Sequence, residues 1–206
     1  MAQASLFWDR HAKGYAKRPV SDQATYEKKL KITQDYLRPD MEVLELGCGT
    51  GTTALIHAPF VKHIRAVDIS EKMLEIARGK AESRDIENVT FERSSIEDLA
   101  AADATYDVVM THSVLHLLKD KDAAVAKIHR LLKPGGVFVS STACLGEMMS
   151  LWRLVLPIGH FLGLLPLVRF LTVDELVRDL TDAGFRIDHE WRPGKGKTLF
   201  AVAIKE

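Results

Sequence analysis

Short apolar segments with the pattern of buried β-strands alternate with amphipathic helical segments through most of this chain. Five such runs come first: Glu42–Leu46, Ile64–Val67, Val89–Arg93, Tyr106–Met110 and Val137–Ser140. Strands alternating with helices are typical of βαβ units and a mostly parallel sheet. Two last runs, Phe185–Trp191 and Thr198–Ile204, are joined by the short link Arg192–Lys197 and predict an antiparallel hairpin. We therefore predict an α/β fold with a seven-stranded sheet and helices on both faces.

Capping residues and turn signals mark the ends of the helical segments. Helices are predicted to about Arg18, from Ser21 or Asp22 to Leu37, from Thr50 or Thr52 to about Ala58, and over Glu71–Glu82, Ala123–Leu132 and Val173–Ala183, with Lys133–Gly136 as a turn. A length of 206 residues suffices for one core, so we predict a single domain over residues 1–206. Its parts are a helical cap (1–38), a central sheet (39–142), an apolar helical insert (143–171) and a C-terminal helix with the hairpin (172–206).

The composition argues against several classes of protein. The formal net charge is zero, so we expect no nucleic-acid partner, because nucleic-acid binders usually carry a basic excess. The two cysteines, Cys48 and Cys144, have neither CxxC nor Cys/His spacing. That spacing predicts neither a metal site nor a disulfide framework, and it favours the cytoplasm as the location. Charged residues at Asp9, Arg10 and Lys13 argue against a signal peptide.

A glycine-rich segment, Glu45–Gly51, follows the first strand and opens a helix. Glycines allow a tight turn and the close approach of a ligand, and a helix N-terminus favours an anionic group. Asp68 ends the second strand, where a carboxylate can accept hydrogen bonds from both hydroxyls of a ribose. Loop and acid together predict a nucleoside-bearing ligand, the alternative being a tight turn beside a helix-capping aspartate. The dinucleotide fingerprint GxGxxG needs its third glycine at position 52, which is Thr52 here.

Four ordered motifs cover roughly residues 40 to 142. They are Val43–Gly51, Ala66–Ser70 with Met73-Leu74, Tyr106–Val109 with Val114–His116, and Leu131–Gly136. In order and spacing they resemble the class I S-adenosylmethionine-dependent methyltransferases of the small-molecule type, which have a Rossmann-like fold. Phe7–Asp9 with Ala12 and Tyr15 is similar to the cap segment of that family. The resemblance implies S-adenosyl-L-methionine as the cofactor.

The resemblance also implies a role for each matched position. Glu45 and Gly47 would lie beside the methionine part of the cofactor, and Ile69 and Met73 would flank the adenine. Where the family often has an acid for the adenine amino group, this chain has Ser95. The backbone N–H of Ile96 could still donate to the ring, and Glu97 or Asp98 could replace the acid, the alternative for both being a solvated surface acid. The full set of residues expected at the cofactor is Glu45, Gly47, Gly49, Gly51, Asp68, Ile69, Met73, Ser95, Ile96, Thr111 and, from the cap segment, Tyr15.

The methyl group of a sulfonium is already electrophilic, so the protein must align donor and acceptor and exclude water. His112 follows the fourth strand at the rim where that methyl should lie. It is our candidate for a general base or an orienting group, the alternative being a hydrogen bond to the backbone. His116 is placed to share a helical face with His112, and is a weaker candidate because a structural role also fits a helix start. No third ligand accompanies the two histidines, so no metal is expected.

The apolar insert bears on the acceptor. Residues 145–171 are apolar on nearly every side, but Arg153, Pro157 and Arg169 interrupt them, which argues against a transmembrane helix. Three interpretations stay open: a lid with a pocket wall for the acceptor, a homodimer face, and a membrane contact.

These observations predict a methyltransferase that acts on a small apolar or aromatic acceptor by in-line transfer. One alternative is a lipid or quinone methyltransferase at a membrane surface. The others are a nicotinamide-dependent oxidoreductase and a protein that binds the cofactor without turnover.

Overall fold

Seven β-strands and the helices between them form the fold in the computed structural model, which describes residues 2–146, 156, 159–160, 165–193 and 198–206. The strands are β1 Glu42–Leu46, β2 His63–Asp68, β3 Val89–Arg93, β4 Tyr106–His112, β5 Leu132–Ala143, β6 Phe185–Trp191 and β7 Thr198–Lys205. The helices are α1 Ala2–Ala16, α2 Gln23–Gln34, α3 Thr52–His57, α4 Glu71–Glu82, α5 Lys121–Leu131 and α6 Val173–Asp182, with single 3₁₀ turns at Ala58–Phe60 and Leu115–Leu117.

The strands lie in the order β3-β2-β1-β4-β5-β7-β6 across one sheet. β1 pairs in parallel with β2 and β4, and β5 continues the parallel set beside β4. β7 is antiparallel to β5 and β6, which confirms the predicted seven-stranded sheet with an antiparallel last hairpin. The chain builds β2 and β3 on one side of β1 and then returns to its other side with β4, so the strand order reverses there. Ligands of such sheets bind beyond the carboxyl ends of the strands at this reversal.

The pairing register brings the ends of three strands together. Leu46, the last residue of β1, pairs with Val67 of β2 on one side and with Thr111 of β4 on the other. The residues that follow each of them in sequence therefore share one edge of the sheet, and these include the glycine loop, Asp68 and His112.

Successive side chains of each strand pack on opposite faces of the sheet, because the side-chain period of a strand is two residues. Val43 and Val108 are fully buried in an apolar cluster that includes residues of α3 and α4. Leu44 and Phe138 are fully buried in a second cluster that includes residues of α5 and α6. Burial of apolar surface on both faces stabilises the sheet and fixes the edge at which the loops meet.

The predicted cap of α3 is wrong. Its N-cap is Gly51 at φ +71°, with no hydrogen bond from a capping side chain. The hydroxyls of Thr50 and Thr52 instead accept hydrogen bonds from the Lys80 ammonium, each at 2.9 Å. The Lys80 ammonium, which is distant in sequence, thus binds the two hydroxyls that the local sequence pattern predicted as caps of α3.

The prediction that His112 and His116 share a helical face is also wrong. β4 continues to His112, which pairs with Ser141 of β5, while His116 lies in the turn Leu115–Leu117. The predicted turn Lys133–Gly136 lies inside β5, where the partner of β4 shifts from residue 132 to residue 137. Two helices are also displaced at one end, since α2 ends at residue 34 and α5 begins at residue 121.

Much of the apolar insert, including Arg153, lies outside the described residues, as do residues 194–197 of the hairpin link. Where the chain is described again, Arg169 makes two hydrogen bonds to the segment that follows β4. Its backbone N–H donates to the His116 carbonyl at 2.7 Å, and its side-chain Nε–H donates to the Leu118 carbonyl at 2.8 Å. These bonds attach the end of the insert to the segment that follows β4. Among the described helices, none is long and apolar enough to cross a membrane.

Candidate active site

The glycine loop is attached to the end of β2. The backbone N–H groups of Gly47 and Cys48 both donate to the Val67 carbonyl, at 2.8 and 3.0 Å. Gly47, Gly49 and Gly51 have φ of +69°, +53° and +71°, a region that strains residues with a Cβ. The loop therefore folds back over the sheet edge in a shape that favours glycine at all three positions.

The surroundings of the three glycines differ. A Cβ on Gly47 would lie 2.4 Å from a methyl group of Val114, and a Cβ on Gly51 would lie 2.8 Å from both Ala77 and Phe91. A Cβ on Gly49 would meet no atom within 4 Å. Packing thus excludes a side chain at the first and third glycines, whereas Gly49 faces open space at the edge of a cavity.

Lys80 of α4 supports the loop from outside. Its ammonium donates to the Thr50 carbonyl at 3.0 Å as well as to the hydroxyls of Thr50 and Thr52. Partial burial, with a contribution from Arg84, lowers the pKa of Lys80. Three hydrogen bonds from one cation limit the movement of the loop before any ligand arrives.

Asp68 ends β2 beside the loop. One of its carboxylate oxygens accepts from the Gly49 N–H at 2.8 Å, and the other accepts from the Ser70 N–H at 2.9 Å. Burial raises the pKa of Asp68, although these amide hydrogen bonds act in the opposite direction. Because each carboxylate oxygen has two lone pairs, both can still accept a hydroxyl from a ligand.

A cavity of about 910 Å³ lies between α1, the strand ends and the described end of the insert. That volume is near the upper end of the range for small-molecule sites. The cofactor residues predicted from the sequence that line it are Gly47, Gly49, Asp68, Ile69, Met73, Ser95, Ile96 and Tyr15, and both candidate histidines, His112 and His116, line it as well.

Three predicted cofactor residues lie outside the cavity wall. Gly51 packs against the side chains of α4 and β3, and Thr111 is fully buried in β4. Glu45 is 2% exposed, and its Oε2 has no hydrogen-bond partner among the described residues. Burial and the neighbouring Asp68 raise the pKa of Glu45 to about 8, against the effect of a hydrogen bond from the Ala54 amide.

The turn after β3 carries two acids, Glu97 and Asp98, beside Ser95. The Ser95 hydroxyl donates to the Asp98 carboxylate and accepts from the Asp98 N–H, both at 3.0 Å. Glu97, between Ile96 and Asp98 in the sequence, lines the cavity. Glu97 is therefore the carboxylate of this turn that is available to a ligand.

His112 is enclosed at the end of β4. Burial lowers its pKa to about 3, with smaller contributions from His57 and Lys29, so the imidazole is neutral at physiological pH. Its Nε2 has no hydrogen-bond partner among the described residues. Burial likewise lowers the pKa of His116 to about 4. The two candidate histidines are thus neutral imidazoles at physiological pH rather than titrating bases.

Part of the cavity wall was not predicted residue by residue. From the described end of the insert it includes residues 165–168, and after β4 it includes Ser113, Val114, Leu117 and Leu118. The apolar character of the insert signalled a pocket wall and Val114 lies in a matched motif, but the sequence did not single out Leu117, Leu118 or residues 166–168 as part of the wall. Phe7 and Trp8 of α1 complete the wall beside Tyr15.

Residues 37–165 match a protein family described as a methyltransferase domain. The chain belongs to this family. The matched range contains the glycine loop, Asp68, the turn after β3 and both histidines of the cavity wall. S-adenosylmethionine is therefore the expected cofactor of this methyltransferase domain.

Relatives of the methyltransferase domain act on different acceptors. The malonyl-[acyl-carrier protein] O-methyltransferase of Serratia marcescens is 29% identical over 150 residues, which cover 69% of this chain and 57% of that protein. The ubiquinone/menaquinone biosynthesis C-methyltransferase UbiE of Shewanella piezotolerans is 35% identical over 113 residues, or 53% of this chain and 45% of that protein. The chain spans about half the length of these curated relatives.

The fold agrees with the family. The crystal structure of an S-adenosylmethionine dependent methyltransferase from Mesorhizobium loti superposes with a TM-score of 0.72 at 21% identity, over 89% of this chain and 99% of that one. Structural similarity at 21% sequence identity supports the fold alone.

The residues present fit the expected cofactor. Gly49 leaves open the space that a Cβ would fill, and Asp68 lines the cavity with lone pairs available for two hydroxyls. Ile69 and Met73 add apolar surface to the same wall. The chemistry of these residues is therefore compatible with a ribose and an adjacent ring.

Proposed function

We propose that this methyltransferase domain transfers a methyl group from S-adenosylmethionine to a small apolar or aromatic acceptor. The observation that supports the proposal is a cavity whose wall contains the Asp68 carboxylate, the neutral His112 and an apolar surface from the insert. One enclosure for donor and acceptor excludes water and holds the reacting groups in line.

The residues around the cofactor have separate tasks in this proposal. S-adenosylmethionine supplies a methyl group made electrophilic by its positively charged sulfur. Asp68 accepts hydrogen bonds from the ribose hydroxyls, Gly49 allows the backbone to lie close to the ligand, and Ile69 and Met73 pack beside the adenine. Glu97 is the carboxylate placed to accept from the adenine amino group.

His112 orients the acceptor in this account. An imidazole with a pKa of about 3 is a weak base at neutral pH, so we do not expect His112 to keep the acceptor proton, which passes to solvent after the methyl transfer. His112 lines the cavity, so its neutral imidazole can offer a hydrogen-bonding nitrogen to an acceptor O–H or N–H.

The apolar part of the wall favours an acceptor with little charge. Val114, Leu117 and Leu118 lie on one segment, and residues 165–168 contribute Leu165, Pro166, Leu167 and Val168. Burial of an aromatic or aliphatic body against such side chains contributes about 25 cal/mol for each Å² removed from water. Specificity then comes from the polar groups near that surface, which are His112, Ser113, His116, Lys119 and His160.

A lipid or quinone acceptor is the second candidate. The likeness to UbiE and the apolar cavity wall both favour it. A longer acceptor tail would leave the cavity beside residues 165–168, at the end of the insert.

Calorimetric titration separates the leading proposal from the nicotinamide alternative. We expect S-adenosylhomocysteine to bind with micromolar or better affinity and NAD not to bind. Asp68→Ala should weaken that binding by about 1–3 kcal/mol, because hydrogen bonds to a charged acceptor are lost. Asp103→Asn, at an exposed site, is the matched control and should bind like the wild type. Binding of NAD but not of the homocysteine compound would overturn the proposal.

A further inference from the structure

Helix α1 covers one side of the cavity and packs against α4. It contributes Phe7, Trp8 and Tyr15 to the cavity wall. Among its described side chains the buried ones are small, Ser5 and Ala12, while Phe7 and Trp8 are half-buried. Polar contacts therefore add to the modest apolar burial that holds α1 in position.

Asp9 makes the main polar contacts between α1 and α4. One oxygen of its carboxylate accepts from the Ser70 hydroxyl at 2.6 Å and from the Lys72 N–H at 3.1 Å. Both donors belong to the N-terminus of α4, whose dipole favours a negative charge. Burial opposes the ionised form of Asp9, but the hydrogen bonds and the nearby Arg93 and Lys72 outweigh it, so its pKa lies below the ordinary value.

The same serine also contacts the acid of the cofactor site. Ser70 is completely buried, and its N–H donates to Asp68, which in turn accepts from the Gly49 N–H. A continuous chain of hydrogen bonds thus runs from α1 through Asp9, Ser70 and Asp68 to the glycine loop. Movement of Ser70 would disturb both carboxylates at once.

We propose that Asp9 is a positioning residue that holds α1 closed over the bound cofactor, and that breaking the Asp9–Ser70 contact, here called the clasp, opens the route for cofactor exchange. The inference rests on the proposed function, because it takes the ligand to be the nucleoside held by Asp68. Closure of the clasp aligns Ser70, which fixes Asp68 for the ribose, so a bound ribose and a closed α1 favour each other.

The test is the rate at which S-adenosylhomocysteine dissociates from the 206-residue chain. Asp9→Ala should raise the dissociation rate constant about tenfold or more, because two hydrogen bonds to a charged acceptor are removed. Asp9→Asn keeps an oxygen that can accept from Ser70, so its rate should lie between those of Asp9→Ala and the wild type. Arg10→Ala, an exposed change on the same helix, is the control and should release the ligand like the wild type.

Hydrogen exchange distinguishes a clasp from a merely structural role. With S-adenosylhomocysteine bound, the amides of α1 should exchange faster in Asp9→Ala than in the wild type, while those of β1 and β4 stay protected. A release rate within about twofold of the wild type would overturn the clasp, even if Asp9→Ala lowered the stability of the free and bound forms equally. A wild-type protein that fails to bind S-adenosylhomocysteine would overturn the proposed function instead, and the clasp with it.

Discussion

Alanine substitutions at Gly49 and Gly51 should have opposite effects on ligand binding and on folding. Both residues have positive φ, so alanine at either position adds about 1–2 kcal/mol of backbone strain. They differ in what the new methyl group meets. At Gly51 it would lie 2.8 Å from Ala77 and from Phe91, whereas at Gly49 it would project into open space.

The magnitudes follow from these surroundings. Overpacking at Gly51 adds about 1–3 kcal/mol to the strain, so Gly51→Ala should lower the free energy of unfolding by about 2–5 kcal/mol. Gly49→Ala should lower it by the strain alone. With the ligand over Gly49, the added methyl group costs about 1–3 kcal/mol of binding free energy, which is a 5- to 150-fold weaker affinity.

Urea unfolding and calorimetric titration with S-adenosylhomocysteine measure the two effects separately. Gly49→Ala should bind S-adenosylhomocysteine more weakly than the folded molecules of Gly51→Ala do. Gly51→Ala should have the lower free energy of unfolding. If Gly49→Ala bound the ligand as tightly as the wild type, the ligand would not lie over Gly49, and the reasoning would fail.

Three further variants test the buried titratable groups. His112→Ala should slow methyl transfer about tenfold or more with a smaller effect on cofactor affinity, and an undiminished rate would remove His112 from the mechanism. Because the pKa of His112 is about 3, the pH profile of wild-type kcat/KM should show no titration of His112 between about pH 5 and 8. The pKa of Glu45 is raised from 4.5 to about 8, so the free energy of unfolding should fall as the pH rises through that interval. In urea titrations at several pH values, Glu45→Gln should reduce this dependence of the free energy of unfolding on pH. An unchanged pH dependence would contradict the burial of a neutral carboxyl. Burial lowers the pKa of His57 from 6.5 to about 4, so the stability that the neutral imidazole contributes is present above pH 6.5 and is lost as the pH falls toward 4. His57→Leu should therefore move the midpoint of acid unfolding to lower pH. A midpoint at higher pH would refute this.

The sequence predicts the parts of this fold that depend on local patterns. The bounds of β1, β3 and β6 agree with the predicted runs, and α4 begins at its predicted cap, Ser70, whose hydroxyl accepts from the Met73 N–H. In these elements the apolar spacing, the cap and the turn residues all favour the same structure. The glycine loop and Asp68 were found for the same reason, because the loop and the strand ends are set by short segments.

The features that were missed depend on contacts between distant segments. The Thr50 and Thr52 hydroxyls accept hydrogen bonds from Lys80 and therefore do not cap α3. Pairing with β5 extends β4 to His112. Asp9 belonged to the recognised cap segment, but its position on α1 does not reveal that it reaches Ser70. Likewise, the burial that makes His112 a neutral group follows from tertiary packing, so a sequence alone suggests a base that titrates near neutral pH.

A crystal structure of the protein with S-adenosylhomocysteine would show whether Asp68 binds the ribose. We expect both ribose hydroxyls within about 3.2 Å of the Asp68 carboxylate, with the sulfur directed toward the part of the cavity wall that holds His112. A nucleoside seated elsewhere on the protein, or a ribose without contact to Asp68, would contradict this expectation.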